Sequence, residues 1–522
     1  MATAAPHPSA GRDVAPRGGP RAAYAVALMS RVRARLARVP APLALMLGVA
    51  AVLAIGWSLA TAPLQGPDEA EHVGYVAHLA ETGHIPSATG GGKGGFGADE
   101  AGALSQFGFG PLRRNRLVRP PWSPLAEQRF QAFEKTLPRG APGIGDGPTS
   151  VGNNPPLYYA YEAIGWRLTP GEHFFGRIFV LRLFSTLLLL GMVTFAWLLA
   201  GEVFSRRRLP QTVAAGFVAL LPMDGFMAGQ VNTDIMLAMV WTAFAWLAVR
   251  TVRLGLSWQR AAVLSGVAVA SILTHGRGLA ILPPLLVTLG VAWLVHHKTL
   301  RETLKAAASS GVVLVLGLVA YRVVFSTAAG GGSLYGGETN LGHTGKFNVR
   351  QLLTSIWNFY FPHLDSFAAR LGPPIGYRQI FVQQYFAGVF GSFEVYFPYW
   401  VYDTVQVLLA VLFVAFYTLA VARWRTLLAR WPVVLVLGAM VFSMLALLQI
   451  ASYRALLQTT GENPLIVGRY LLPLGGIFAV ALAALVHWLP RRVGVVVASL
   501  LLSGLLLLSM GGLALSVERF YA

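Results

Sequence analysis

Asp68, Glu69, Glu71 and His72 lie close together in the run Gly66-Pro-Asp-Glu-Ala-Glu-His72, directly after a long apolar segment. Carboxylates can take a proton from an attacking hydroxyl or hold a hard cation, and an imidazole can relay or share that proton. Solvated charge at a membrane face is costly to place and is kept where it has a use. The run from Pro67 to Gly83 reads as one amphipathic helix with Gly83 as its C-cap. Asp68, His72 and Tyr75 share a face of that helix by three-to-four spacing. A purely structural account has Asp68 capping the helix and His72 pairing with it. The position at the exit of the first apolar segment favours chemistry.

Three other places carry comparable groups. Asn232-Thr-Asp234 forms a tight turn between two apolar runs, where Asn232 suits an N-cap and Asp234 could meet Asp68 across a shared cavity mouth. Asp224, in Pro222-Met-Asp224, sits slightly deeper in the same region. Arg277, in Thr274-His275-Gly276-Arg277, and Arg469, beside Tyr470, stand at the ends of apolar runs. Such arginines either snorkel to lipid headgroups or clamp a phosphate with a planar guanidinium. Glu394, in the aromatic-rich run Gly391-Ser-Phe-Glu-Val-Tyr-Phe-Pro398, is a candidate third acid or one polar residue in an aromatic belt. A divalent cation (Mg²⁺, Mn²⁺ or Ca²⁺) on Asp68, Glu69, His72 and Asp234 is compatible with hard oxygen ligands, although nothing in the sequence requires it.

The chain that must position these groups has 522 residues, 55% hydrophobic and 12% charged, with a mean hydropathy of +0.58. That balance fits a polytopic membrane protein. The net charge of +19 does not indicate nucleic-acid binding, because Lys and Arg cluster at the ends of apolar runs. The absence of Cys excludes disulfides and thiolate chemistry.

Runs able to cross ~30 Å of hydrocarbon as helices fall at 42–62, 183–203, 212–229, 234–248, 261–274, 279–295, 306–325, 401–422, 432–451, 470–488 and 493–516. The Tyr-rich stretch 155–168, which opens with two prolines and carries Glu162 and Arg167, suits an interfacial helix better. With that stretch interfacial, Arg206–Arg208, Arg250, Arg253, Arg260, Lys298, Arg301, Lys305, Arg423, Arg425, Arg430, Arg491 and Arg492 all fall inside. The positive-inside rule therefore predicts eleven spans, an inner N-terminus and an outer C-terminus. Residues 1–40, with Arg31, Arg33, Arg35 and Arg38, read as a disordered cytoplasmic tail; loops 63–182 and 327–400 lie outside.

Four motifs run through most of the chain in order: Pro67-Asp-Glu-x-x-His72, Asn154-Pro-Pro-Leu-Tyr-Tyr159, Val231-Asn-Thr-Asp234 and Gly468-Arg-Tyr-Leu-Leu-Pro473. Together they resemble the GT-C class of integral-membrane glycosyltransferases, and within it a large bacterial family. The resemblance implies an all-α polytopic membrane protein: a GT-C-like bundle of about eleven helices whose long first outer loop holds interfacial helices. The implied divisions are a tail at 1–40, an N-terminal module at 41–326, an outer loop at 327–400 and C-terminal helices at 401–522. It also implies a multi-pass protein of the bacterial inner membrane, with the site facing outward. The partners it implies are membrane lipid, a polyprenyl-phosphate-linked sugar donor and a glycan, glycolipid or protein acceptor. The catalytic set becomes Asp68, Glu69 and Asp234. The substrate-binding set becomes His72, Tyr75, Asn232, His275, Arg277, Glu394, Arg469 and Tyr470. Ala70, His275 and Glu394 depart from the residues usual in the family at their positions.

The chemistry is direct. An acceptor hydroxyl attacks the anomeric carbon, a carboxylate takes its proton, and the departing lipid phosphate needs cations. A single displacement inverts the anomeric centre. Two other classes fit the sequence: a transporter or flippase for a lipid-linked saccharide, and a non-catalytic envelope assembly partner.

Overall fold

Long runs of Leu, Val, Ala and Phe without charge form helices because lipid offers no partner for a bare peptide group. The computed structural model describes residues 39–86, 95–115, 117–137, 151–152, 154–169, 171, 173–297, 299–328, 346–368, 371–458 and 466–522. The basic tail with Arg31, Arg33, Arg35 and Arg38, and also Arg116 and Lys298, lie outside these residues. The chain divides into residues 1–45 and 46–522. Described residues of the first unit do little more than open helix Ala41–Ala60, and every other element belongs to the second unit.

Among the described residues, nine helices are long and apolar enough to cross a membrane. The pair Arg208–Leu220 and Pro222–Ala228, a broken span or a re-entrant loop, is bent by 57° where Pro222 enters without a backbone N–H to donate. The expected run 261–274 is the 17-residue helix Trp258–Thr274, roughly 26 Å long at 1.5 Å per residue. The helix expected at 183 begins earlier, as Phe174–Val203. Arg177 and Arg182 interrupt the apolar pattern there, yet both lie inside the helix. Arg177 stacks on Trp166 at 4.7 Å and pairs with Glu81 at 3.5 Å. The stretch 155–168 forms the 11-residue helix Leu157–Arg167, roughly 17 Å long and short of a bilayer.

Helix Thr233–Leu254 is mostly buried and carries opposite chemistry at its two ends. Asp234 lies at its start, while Arg250 and Arg253 near its end bind Glu202 at 2.8 and 2.5 Å. Arg430 donates to the Val203 carbonyl at 2.9 Å, and Arg423 to that of Trp488 at 3.2 Å. The basic helix ends therefore gather at one end of the bundle, and the acid-bearing turns gather at the other.

Beyond that second end, the first long connection folds into short helices Glu69–Thr82, Ala98–Gln106, Pro124–Glu134 and Leu157–Arg167. Reciprocal arginines tie this connection to the final helix, Arg491–Tyr521. Arg519 donates to the carbonyls of Leu112 (3.0 Å) and Val118 (2.7 Å), and Arg119 donates back to that of Glu518 at 2.7 Å. The later connection holds helix Val349–Tyr360, a π-helix at Arg378–Gly388, and a hairpin pairing Val389–Phe390 with Val395–Tyr396.

Candidate functional site

Two turns at the acid-bearing end bring two aspartates and two arginines together. Asp68 precedes helix Glu69–Thr82 in a left-handed backbone conformation, φ 56°. Asp is among the few non-glycine residues that adopt it readily. The Asp68 side chain makes no capping bond to its helix and is 53% exposed, reaching instead to Arg469 Nη2 at 2.5 Å. Its role as a helix cap is thereby excluded, while the expected C-cap at Gly83 is present. Arg469 also turns Nε toward Asp234 Oδ2 at 3.6 Å, and the other Asp234 oxygen accepts from Arg277 Nη2. Asp234 is only 2% exposed, so of the two aspartates only Asp68 is open to an incoming molecule.

Backbone packing fixes both arginines. A Cβ on Gly278 would lie 2.0 Å from the Ser271 carbonyl oxygen, and one on Gly468 would lie 2.7 Å from that of Ile380. Neither site admits a side chain, so the turns beside Arg277 and Arg469 press flat against their neighbours. His275 Nδ1 accepts from the Arg277 backbone N–H at 3.1 Å, which gives His275 a positioning role. Arg277 stacks over Tyr470 at 3.9 Å. Its Nε and Nη1 are buried with no protein partner. Asn232 caps helix Thr233–Leu254, accepting from Asp234 N at 2.9 Å. Its amide also donates to the Pro67 carbonyl at 2.9 Å, tying the two acid-bearing turns together.

Glu69, expected among the catalytic acids, is corrected to a structural anchor. It is fully buried and bound side-on by Arg182, whose Nε and Nη2 reach its two oxygens at 2.7 and 2.6 Å. The same guanidinium donates to the carbonyls of Ser58, Thr61 and Ala62 at 2.6, 2.8 and 3.2 Å. Both carboxylate oxygens are thus already engaged where a substrate proton would need them. Sequence reasoning overlooked Arg182, although an arginine in an otherwise apolar run is itself a signal that a buried carboxylate awaits it.

His72 does not pair with Asp68 but meets the Tyr159 hydroxyl at 2.8 Å. Asn154 donates to the same hydroxyl oxygen at 3.0 Å, leaving the phenol proton for His72 Nδ1. Tyr75 stacks parallel on Tyr159 with centroids 3.6 Å apart. Burial pulls the His72 imidazole down to about 4, against the opposing pull of Asp68, so it is neutral at neutral pH. Burial also pushes the Tyr159 and Tyr75 phenols up. For Asp68, burial raises the carboxyl, but the charge and hydrogen bond of Arg469 outweigh it and hold the group below its usual value.

Glu394, expected as a candidate third acid of the cluster, sits buried in the hairpin turn, where burial pushes its carboxyl up against the opposing charges of Arg519 and Arg113. Among the described residues, no three His, Cys, Asp or Glu side chains are arranged to hold a metal ion. Asp68, Glu69 and Asp234 each face an arginine where a cation would need them. Asp224 lies just past the helix bend, fully buried with both oxygens unpartnered.

The chain belongs to the family of predicted membrane proteins known as DUF2142, whose model matches residues 51–477. It is a multi-pass membrane protein. No curated protein sequence matches it. Among solved structures it is similar to ArnT from Cupriavidus metallidurans bound to undecaprenyl phosphate, at 14% identity and a TM-score of 0.42. That alignment takes in 86% of this chain and spans 60% of the length of the ArnT chain.

Proposed function

We propose that this protein transfers a sugar from a polyprenyl-phosphate carrier to an acceptor hydroxyl on an envelope glycan, glycolipid or protein, with Asp68 as the base. The observation that carries this reading is the Asp68–Arg469–Asp234–Arg277 chain. It sets one exposed carboxylate beside buried guanidinium N–H groups that lack partners. Unpartnered buried donors suit an anion with several oxygens, and a phosphate monoester or diester has that form.

In this mechanism the donor phosphate draws Arg469 away from Asp68. The carboxylate then regains basicity and accepts the proton of the acceptor hydroxyl as its oxygen bonds to the anomeric carbon. The bond from that carbon to the phosphate oxygen breaks, and its electron pair leaves on the lipid phosphate, which Arg469 and Arg277 stabilise. The anomeric centre inverts. Glycolipid profiles of membranes with and without the protein test the reading. A sugar-bearing product that depends on the protein supports it, and identical profiles would defeat it.

A second reading, translocation of a lipid-linked saccharide, draws on Asp224. A buried, unpartnered acid at a broken span suits a coupling site. Movement of the lipid across proteoliposomes with no covalent product would favour it.

A further inference from the structure

A groove of about 680 Å³ opens between helix Val349–Tyr360 and the π-helix Arg378–Gly388, a volume suited to a small ligand. Three tyrosines line it, Tyr360, Tyr377 and Tyr399, together with the amides Asn358, Gln379 and Gln383. A second void, sharing Asn358 and Phe359, continues toward Ile466 with Ser355, Gln449 and Ser452 in its wall. Ile466 lies just before the turn that bears Arg469. The π-helix reaches that turn directly, since Gln384 accepts from the Gly468 backbone N–H at 2.6 Å. The second void and the Gln384–Gly468 bond therefore link the groove's walls to the turn that bears Arg469.

Its lining identifies the occupant by chemistry. Aromatic faces are negative and attract the slightly positive C–H face of a pyranose ring, and side-chain amides both donate to and accept from hydroxyls. A prenyl tail would leave those amides unpaired. The groove's level is set by helix Val349–Tyr360. Val349 and Leu353, one turn apart on that helix, are exposed, while Thr354, Asn358 and Phe359 are buried. A bare apolar stripe on a short amphipathic helix rests in the lipid interface, which puts the groove at headgroup depth.

We infer that this groove binds the headgroup sugars of a membrane-borne saccharide, the acceptor, and presents its hydroxyl toward Asp68. The inference takes the transferase reading for what happens to that hydroxyl, but saccharide capture can be measured without any transfer. The whole chain in nanodiscs is applied to an array of neutral and N-acetylated oligosaccharides. Wild-type protein and Asp68→Asn both retain a saccharide. Tyr377→Ala and Gln383→Ala weaken its capture by about tenfold, the scale of one lost ring or hydrogen-bond contact. Tyr377→Phe restores it, and melting temperatures stay level across the set. Three results would each overturn the assignment: no saccharide held by the wild type, equal capture by all variants, or Tyr377→Ala weakening the binding of a polyprenyl phosphate while saccharide capture stays intact. Sugar transfer surviving in Asp68→Asn would remove the transferase reading and leave the array result untouched.

Discussion

The Arg277 guanidinium carbon lies over the ring of Tyr470, 3.9 Å from its centroid, and Tyr470 follows Arg469 in the chain. The Arg469 guanidinium lies 5.6 Å from the same centroid, so one aromatic ring contacts both cations. Replacing Tyr470 with Leu removes a cation–π contact of about 1–2 kcal/mol. The donor KM should rise about tenfold while the acceptor KM stays put. Steady-state kinetics with each substrate varied in turn checks this.

Asp68→Asn keeps the left-handed backbone and the shape of the side chain but cannot accept a proton. Transfer should fall by about 10²–10⁴, the usual scale for a lost general base. Because the side chain is 53% exposed, thermal stability should change little. Unchanged turnover in this variant ends the assignment of Asp68.

Glu69→Gln should behave in the opposite way. It strips the counter-charge from a buried Arg182, a change of about 3–5 kcal/mol in stability. The signature is a loss of folded yield and of melting temperature, before any assay of activity. A variant that folds as well as wild type would show that Arg182 is satisfied by its carbonyl partners alone.

The pH response of stability should trace His72. Its imidazole is held near 4 in the folded protein against 6.5 for the free group, so below 6.5 the unfolded chain binds a proton that the folded one refuses. Stability therefore falls as pH drops, by about 2 kcal/mol between pH 7 and 5. His72→Gln should flatten this slope in thermal melts. Asp68, held below the ordinary carboxylate range, stays ionised across the same interval. It adds no acid limb to kcat/KM there.

Sequence alone exposes the residue types of the site better than their partnerships. Asp68, Asp234, Arg277, Arg469, Tyr470 and Asn232 are all legible, because polar groups at the ends of apolar runs are conspicuous. Their convergence is legible only as a conjecture, because the turns at 66–68, 232–234 and 468–470 come from distant parts of the chain. The Glu69–Arg182 pair escapes the sequence because a carboxylate beside Asp68 looks equally available until the helix start at Phe174 is known. Spacing along one helix assigns His72 to Asp68, whereas its partner, Tyr159, comes from another. The long apolar runs mark the helices themselves; the run at 183 starts earlier, where Arg177 and Arg182 hide charge in ion pairs, and the run 212–229 breaks at Pro222.

The mutual grip of Arg119 and Arg519 joins backbone positions about 400 residues apart. At the usual 5–20 residues per second of synthesis, roughly 20–80 s separate the emergence of the two partners. Throughout that interval Leu112, Val118 and Arg119 wait without their clasp, so this part of the first long connection is fastened late in biogenesis. A ribosome stalled before the helix Arg491–Tyr521 would leave that segment open to an added protease, and release of the full chain would close it.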